Sequence, residues 1–263
     1  MKRIVVFMYH ALYDGAQELE RIAPPDRPYA LSVNQFTLQM DWLVASGIPV
    51  LSLGQAGADP KHLPQHAVLL TFDDGHDSGY RHALPLLRER GLSATFFVTT
   101  DFVAGRRGFC SWEQLAEMAR CGMAVQSHGR THRFFDDLSD AEAREELVSA
   151  KTAIERVTGA QVGAISFPGG RYRPRDLALG AGAGYRLFFT SAAGANAPEA
   201  FACAAPIRRI AVKRNTTLSS FSRYAAAAPS ALIGAAAIAG VKRVVRYVAG
   251  NRLYQRLYER LSS

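Results

Sequence analysis

The sequence predicts an α/β protein built on a mostly parallel sheet or barrel that is covered by helices. Short apolar runs alternate along the chain with segments whose apolar residues have helical spacing. Polar, glycine-containing motifs follow several of these runs directly, as in folds whose chemistry lies at the carboxyl ends of strands. The chain has 263 residues, of which 48% are hydrophobic, so it can bury a sizeable core and is neither disordered nor fibrous.

The elements are predicted in chain order from periodicity and from residues that start or end helices. Buried strands are expected at 4–8, 67–72, 94–98, 123–126, 164–167 and 187–190. Helices are expected at 32–47, 85–90, 112–120 and 139–157. Ser32 is suited to an N-cap, and Gly47, Gly91 and Gly159 follow predicted helices as C-terminal stops. The glycine-rich stretch 178–184 is interpreted as a helix end and turn, since it follows no strand and lacks an acidic partner for a dinucleotide site.

Positive charge is concentrated at the end of the chain. The formal net charge is +8, and residues 208–263 contain eleven basic residues and one acidic residue, so the remainder is nearly neutral. This distribution favours a basic appendage over a globally nucleic-acid-binding protein, and no nucleic-acid partner is expected. Leu253, Leu257 and Leu261 would share one stripe of a helix. That helix could pack on the barrel, form a dimer, or place residues 225–261 on a membrane surface.

The cellular compartment is inferred from the cysteines and the first residues. Three cysteines without paired spacing give neither a disulfide framework nor a zinc-knuckle pattern. The apolar run after Met1 is too short for a signal peptide and has no small-residue cleavage site. A cytoplasmic location is expected, peripheral on the inner face of the membrane if the basic appendage binds lipid.

Two motifs at predicted strand ends combine residues that bind metals. Asp73 and Asp74 follow the apolar run 67–72, and Gly75 comes next. His128 and His132, four residues apart, follow the strand predicted at 123–126. Two imidazoles and one carboxylate can hold a cation and leave positions open for water and substrate. The plainer interpretations are an Asx-turn at the first strand exit and hydrogen-bonded histidines at the second.

A third motif lies after the strand predicted at 164–167. Pro168 is followed by Gly169 and Gly170, which let backbone N–H groups approach a substrate closely, as an oxyanion-stabilising loop requires. An ordinary Pro-Gly turn is the alternative interpretation of this segment.

The order TFDDG, SHxxxH and FPGG on successive strand ends resembles the polysaccharide deacetylase (NodB-homology, carbohydrate esterase family 4) superfamily over roughly residues 1–212. The resemblance implies a distorted (β/α) barrel, here with an added C-terminal helical basic tail. It also implies metal-dependent removal of an N-acyl group, usually N-acetyl, from an amino sugar. We therefore expect a catalytic domain at 1–222 and a basic amphipathic helical appendage at 223–263.

The resemblance also implies roles for individual residues. Asp73 corresponds to the family's general base, and Asp74, His128 and His132 correspond to its metal ligands. The backbone N–H near Gly169, in the 168–170 loop, corresponds to its oxyanion donor. Zinc is the expected cation, with nickel, cobalt or iron as alternatives.

Two departures from the family pattern leave roles to be filled. Many members have an arginine that orients the base at the approximate position where this chain has Ile165. Arg171, Arg208 and Arg209 are the candidates to take the role of that arginine. Many members also have a late histidine that protonates the leaving amine, and His10 is the candidate here.

The predicted function is a metal-dependent carbohydrate N-deacetylase that acts on a glycan or lipid-linked saccharide with metal-activated water. Two alternatives stay open at this point. One is a non-catalytic carbohydrate- or membrane-binding module on the same fold. The other is a non-haem iron enzyme that uses the same three ligands, although such enzymes usually have a different scaffold.

Overall fold

A computed structural model describes residues 2–237 of the chain. The strands are β1 (Arg3–Tyr9), β2 (Leu12–Tyr13), β3 (Leu31–Ser32), β4 (His66–Phe72), β5 (Thr95–Val98), β6 (Ala124–Ser127), β7 (Ala164–Ser166), β8 (Leu187–Phe189), β9 (Pro206–Ile207) and β10 (Ile210–Ala211). The helices are α1 (Ala16–Arg21), α2 (Val33–Ser46), α3 (Leu53–Ala56), α4 (Leu84–Glu89), α5 (Trp112–Arg120), α6 (Asp140–Thr158), α7 (Pro174–Gly182) and α8 (Leu218–Ala225).

Eight strands form one sheet in which every neighbouring pair is parallel, in the order β10-β1-β4-β5-β6-β7-β8-β9. The two ends of this sheet, β9 and β10, follow each other in the chain and are joined by Arg208 and Arg209. The sheet therefore curls toward closure at this seam, and the predicted distorted (β/α) barrel is confirmed. The short strands β2 and β3 pair separately.

Alternation along the strands separates an inner from an outer core. In β4, Ala67 and Leu69 belong to a cluster that lies inside the curled sheet with Phe97 and Phe189. The intervening Val68, Leu70 and Phe72 belong to the cluster shared with the covering helices. Successive strand residues point to opposite faces, so Thr71 and Asp73 continue the inward row.

The helix termini agree with the sequence prediction. The side chains of Ser32, Ser111 and Ser139 each accept a hydrogen bond from the third residue of the following helix. Gly47 and Gly159 end α2 and α6 in the left-handed region. The sequence did not indicate the π-helical turn Gly79–Ala83 before α4. Residues 178–184 form the end of α7 and a turn, as predicted.

An excursion between β1 and α2, residues 10–32, lies beside the carboxyl ends of the strands. It contains α1, which buries no residue, and a small apolar cluster of Ala11, Ile22 and Ala30. Glu18 attaches the excursion to the π-helical turn through ion pairs with Arg81 at 2.6 Å and His82 at 2.9 Å.

Helix α8 packs on the barrel rather than standing apart from it. The ring of Phe221 stacks on Phe7 at 4.4 Å between centroids and lies edge-on to Trp42 at 6.2 Å. The boundary predicted between residues 222 and 223 therefore falls inside a packed helix. Residues 229–237 are helical, and the rest of the predicted appendage, 238–263, lies outside the described residues. Over 2–237, no helix combines the length and apolar character that crossing a bilayer requires.

Candidate metal centre

Asp73 and Asp74 leave β4 in different directions. The N–H of Asp73 still donates to the carbonyl of Tyr9 at 2.9 Å, so its side chain keeps the inward direction of the strand. Asp74 has a φ of 74°, a left-handed conformation that is uncommon outside glycine and turns its carboxylate away from that of Asp73. Gly75 follows with a φ of 87°, where a Cβ would lie 3.1 Å from Cγ1 of Val98.

The two histidines follow β6 and meet Asp74. The N–H of His128 donates to the carbonyl of Val98 at 2.9 Å, and His132 has a φ of 66°. Nε2 of His128 lies 3.3 Å and Nε2 of His132 lies 3.2 Å from Oδ1 of Asp74. The imidazole of His128 is buried, whereas one third of His132 is exposed, so the cluster opens to solvent on one side.

The electrostatics of this cluster suit a cation. Burial raises the pKa of Asp74, but hydrogen bonds from His128 and His132 lower it by more. The net pKa is well below the ordinary value. Burial lowers the pKa of His132, and its contact with Asp74 raises it by more, so the net pKa is above the ordinary value. Negative charge and two imidazoles are thus concentrated at one point.

The donor set fits a divalent metal. One ligand atom from each of Asp74, His128 and His132 lies within 4.8 Å of the others, and this is the one such group found among residues 2–237. Nδ1 of His128 lies 2.6 Å from the carbonyl of Ser166 and donates to it, so Nε2 is the nitrogen that faces Asp74. Two imidazoles and a carboxylate match sites that keep open positions for water and substrate.

Asp73 lies beside this cluster and is held by Arg209 instead. Nη1 of Arg209 donates to Oδ1 of Asp73 and Nη2 donates to Oδ2, both at 2.7 Å. Ser166 Oγ accepts from Arg209 at 2.7 Å and donates to Asp73 at 3.1 Å. Burial raises the pKa of Asp73, but Arg209 and His128 outweigh burial, so the net pKa is below the ordinary value. Asp73 is therefore an ionised carboxylate at neutral pH.

Of the three arginines that the sequence offered as partners for Asp73, the structure brings only Arg209 to it. Arg209 extends inward from the seam between β9 and β10 and is 1% exposed. The predictions that Arg208 or Arg171 would contact Asp73 are wrong. The side chain of Arg208 points outward at the same seam and is exposed. Arg171 forms ion pairs at 2.8 Å with Asp136 and Asp137, so it ties the loop after His132 to the loop after β7.

The 168–170 loop has the conformation that its glycines permit. Gly169 and Gly170 have φ values of 62° and 67°, and Pro168 is buried. The N–H of Gly170 donates to the carbonyl of Phe167 at 2.7 Å, so it is not free for a substrate. The N–H of Gly169 takes part in none of the hydrogen bonds found among residues 2–237, which leaves it as the loop's donor.

His10 lies at the end of β1 on the same side of the barrel. Its ring contacts the ring of Tyr29 at 5.0 Å between centroids. It is close enough to Asp73 and Asp74 to lower the pKa of both carboxylates. Nδ1 of His10 is buried without a hydrogen-bond partner among the described residues. A buried, unpartnered nitrogen is a group that a bound substrate can satisfy.

Sequence reasoning missed Ser166 and Thr71 as supports of the site. Ser166 contributes its hydroxyl to Asp73 and its carbonyl to His128, so one residue orients both the carboxylate and an imidazole. Thr71 Oγ1 accepts from Arg209 at 3.2 Å. The period-two pattern of β4 and β7 was the available signal, since both residues are polar at inward positions of buried strands.

Comparison with known proteins agrees with this geometry. The family model for polysaccharide deacetylase matches residues 61–188, which include Asp73, Asp74, His128 and His132. YxkH of Bacillus subtilis is 27% identical to this chain over 84% of the chain and 76% of YxkH. The poly-β-1,6-N-acetyl-D-glucosamine N-deacetylase of Escherichia coli is 33% identical, over 31% of this chain and 15% of that protein.

Solved structures show the same fold over most of the chain. IcaB from Ammonifex degensii superposes with a TM-score of 0.71 and 29% identity, covering 86% of this chain and 97% of IcaB. The Streptococcus pyogenes deacetylase PplD in complex with acetate gives a TM-score of 0.75 and 24% identity, covering 84% and 97%. The resemblance drawn from the three sequence motifs is confirmed.

Proposed function

The chain is a relative of the polysaccharide deacetylases, and from that premise we propose that it is a metal-dependent hydrolase of N-acylated amino sugars. The substrate would be a glycan or a lipid-linked saccharide, and the group removed from its amino sugar would be N-acetyl or another N-acyl group. The observation that carries the proposal is the convergence of three metal-ligand atoms beside a separate, ionised carboxylate. The names of the Escherichia coli and Staphylococcus aureus relatives make poly-β-1,6-N-acetyl-D-glucosamine the first substrate to test.

Asp74, His128 and His132 would hold the cation. A divalent metal bound there would lower the pKa of a water molecule and polarise an acyl carbonyl. Zinc is the metal we propose, because the two histidines and one carboxylate are borderline and hard ligands with open positions beside them.

Asp73 would accept the proton of the attacking water. Its low pKa keeps it deprotonated, and its carboxylate is not one of the three ligand groups. Arg209 and Ser166 fix its orientation from behind through three hydrogen bonds. Such fixed placement is what an effective general base requires, more than high basicity alone.

The remaining two steps would use Gly169 and His10. The N–H of Gly169, for which residues 2–237 offer no acceptor, can donate to the oxygen that becomes negative when water adds to the carbonyl. His10 can donate a proton to the departing amine, since its ring interacts with both aspartates and its Nδ1 has no hydrogen-bond partner among residues 2–237. The products are a carboxylate and a free amino sugar.

The test is acetate release from N-acetylglucosamine oligosaccharides, β-1,6-linked and β-1,4-linked, by the zinc-loaded full chain. Asp73→Asn should keep its zinc and lose turnover by about 10²–10⁴-fold. His128→Ala should lose zinc as well as turnover. His62→Ala is the matched control, because His62 is 83% exposed and is not part of the cluster, and it should change neither quantity.

The outcomes separate the proposal from its alternatives. Near-normal turnover by zinc-loaded Asp73→Asn would refute the base assignment. Oligosaccharide binding without acetate release would indicate a non-catalytic module. Activity that requires iron and oxygen, and is lost with zinc in air-free buffer, would indicate oxygen chemistry.

Association of residues 225–261 with a membrane surface stays a prediction from sequence. It would bring the enzyme to a lipid-linked substrate. Flotation of the full chain with anionic liposomes, compared with a chain ending at residue 237 so that α8 stays intact, tests it; equal flotation of the two would contradict it.

A further inference from the structure

A buried carboxylate on α6 is bonded to the turn that separates the two histidines of the cluster. Glu146 is 5% exposed. Its Oε2 accepts the N–H of Arg130 at 2.7 Å and the N–H of Thr131 at 2.9 Å. Its Oε1 accepts the hydroxyl of Thr131 at 2.5 Å. We call Glu146 with these three donors the Glu146 clasp.

The carboxylate of Glu146 is held by hydrogen bonds from the turn. The guanidinium of Arg130 lies close by but pairs with Asp101 at 3.3 Å and Glu145 at 3.2 Å. Among residues 2–237, no lysine or arginine forms an ion pair with Glu146. Burial of a carboxylate is costly unless hydrogen bonds satisfy it, so the backbone of the 129–132 turn compensates for that cost. All hydrogen bonds of the Glu146 side chain found among residues 2–237 come from this turn.

The shape of the turn explains why it needs to be held. Gly129 has a φ of 78°, and a Cβ there would lie 3.0 Å from Oε2 of Glu146, so the residue after His128 must be small for the clasp to close. His132 has a φ of 66°, a conformation that costs a non-glycine residue about 1–3 kcal/mol. The clasp binds the two residues between these left-handed positions.

The clasp also joins the turn to a rigid support. Helix α6 has 19 residues, begins with a capping box at Ser139 and buries Ala143, Leu147 and Ala150 on the side that carries Glu146. A residue fixed on such a helix can set the spacing of the two imidazoles, which lie 5.1 Å apart between ring centroids.

We propose that Glu146 is a positioning residue for the metal centre, which sets the direction of His132 relative to His128 by holding the backbone between them. This inference rests on the proposed metal site, and it assigns to Glu146 no contact with metal or substrate. Partners of this kind typically contribute about 10–100-fold to metal affinity.

The experiment measures zinc affinity of the full chain by competition with a chromophoric chelator, without substrate. Glu146→Leu removes every acceptor of the clasp and should weaken zinc binding by about 10–100-fold. Glu146→Gln keeps one oxygen for the two N–H groups, so its affinity should lie between that of Glu146→Leu and wild type. Glu145→Leu is the matched control. Glu145 is the preceding residue and is 62% exposed, and its carboxylate pairs with the guanidinium of Arg130, whereas Glu146 accepts from the backbone N–H of Arg130.

A double-mutant cycle shows whether the effect runs through the turn. Thr131→Val removes one donor of the clasp and should weaken zinc binding in the wild-type background, but add little to Glu146→Leu. The absorption of the cobalt-substituted protein should change in Glu146→Leu and stay unchanged in Glu145→Leu, because only the former alters ligand geometry.

The outcomes are distinguishable from failure of the proposed function. If the wild type binds zinc and both Glu146 variants bind it within twofold of Glu145→Leu, the inference is refuted even if their melting temperatures fall. If Glu146→Leu does not fold, Glu146→Gln and Thr131→Val decide the question by the same criterion. A wild type that binds no zinc overturns both the inference and the proposed function. Weakened zinc binding in a chain that releases no acetate supports the clasp and contradicts only the deacetylase.

Discussion

Removal of Arg209 should destabilise the protein, because it would leave the buried carboxylate of Asp73 without its ion-pair partner. Its guanidinium is buried, donates to both oxygens of Asp73 at 2.7 Å, and is also bonded to Thr71, Ser166 and the carbonyl of Thr190. Replacing it with methionine fills much of the space but leaves the Asp73 carboxylate buried and unpaired. Breaking a buried ion pair on one side costs about 3–5 kcal/mol.

The assay is urea denaturation of the full chain, followed by circular dichroism. Arg209→Met should lower the free energy of unfolding by about 3–5 kcal/mol. At roughly 2–4 °C per kcal/mol, this corresponds to a fall in melting temperature of about 6–20 °C. The double variant Asp73→Asn, Arg209→Met should recover part of the loss, since it leaves no unpaired charge.

Arg208→Met is the matched control, because Arg208 is adjacent, exposed and unpaired with Asp73. It should change the free energy of unfolding by less than about 0.5 kcal/mol. If the free energies of unfolding of Arg209→Met and Arg208→Met agree within about 1 kcal/mol, the buried ion pair does not stabilise the fold as proposed. Recovery of stability in the double variant would show that the two residues interact, since the destabilising effects of two independent substitutions would add.

Three further predictions concern other parts of the molecule. Gly170→Ala should destabilise the fold by at least about 2 kcal/mol in urea denaturation, because its Cβ, at a φ of 67°, would lie 2.5 Å from the backbone nitrogen of Ser191. His10→Gln should lower kcat for acetate release by about 10²–10⁴-fold while zinc content stays at the wild-type level. Burial raises the pKa of Glu18, but hydrogen bonds from the N–H of Asp14, from Arg81 and from His82 outweigh burial and lower the pKa from 4.5 to about 2. The stability that ionised Glu18 contributes is therefore complete above pH 4.5 and is lost as the pH falls toward 2. Wild type should therefore exceed Glu18→Gln by about 1 kcal/mol at pH 6, and the difference should shrink below pH 4.5.

Each of these has a result that contradicts it. Gly182→Ala is the control for Gly170, since a Cβ at Gly182 meets nothing within 4 Å, and equal stability of the two variants would disprove the steric argument. A His10→Gln enzyme with unchanged kcat would remove His10 as the acid. A difference between wild type and Glu18→Gln that grows on acidification would show that the sign of the pKa shift is wrong.

Much of the fold could be predicted because its signals are local. Buried strands such as 67–72 are continuous apolar runs, and helix starts such as Ser32 and Ser139 have side chains that cap the next turn. The strands β2, β3, β9 and β10 were missed because two residues are too few to show any periodicity.

The convergence of Asp74, His128 and His132 was predictable for the same reason, and the residues that support it were not. Asp74 and the pair His128 and His132 stand in short motifs directly after strands, and parallel strands bring their carboxyl ends together. The contact between Arg209 and Asp73 joins residues 136 positions apart, and it depends on which side chain turns inward where β9 meets β10. Nothing local distinguishes Arg209 from Arg208. Glu146 likewise looks like one more acid on an exposed helix until α6 is placed against the turn.

The anomalous diffraction signal of zinc, measured in crystals of the zinc-loaded full chain, shows whether Asp74, His128 and His132 hold a metal ion. We predict one strong peak about 2.0–2.2 Å from a carboxylate oxygen of Asp74 and from Nε2 of both His128 and His132, with Asp73 outside bonding distance. A peak bound by other residues, or histidine rings turned away from each other with no peak between them, would contradict it.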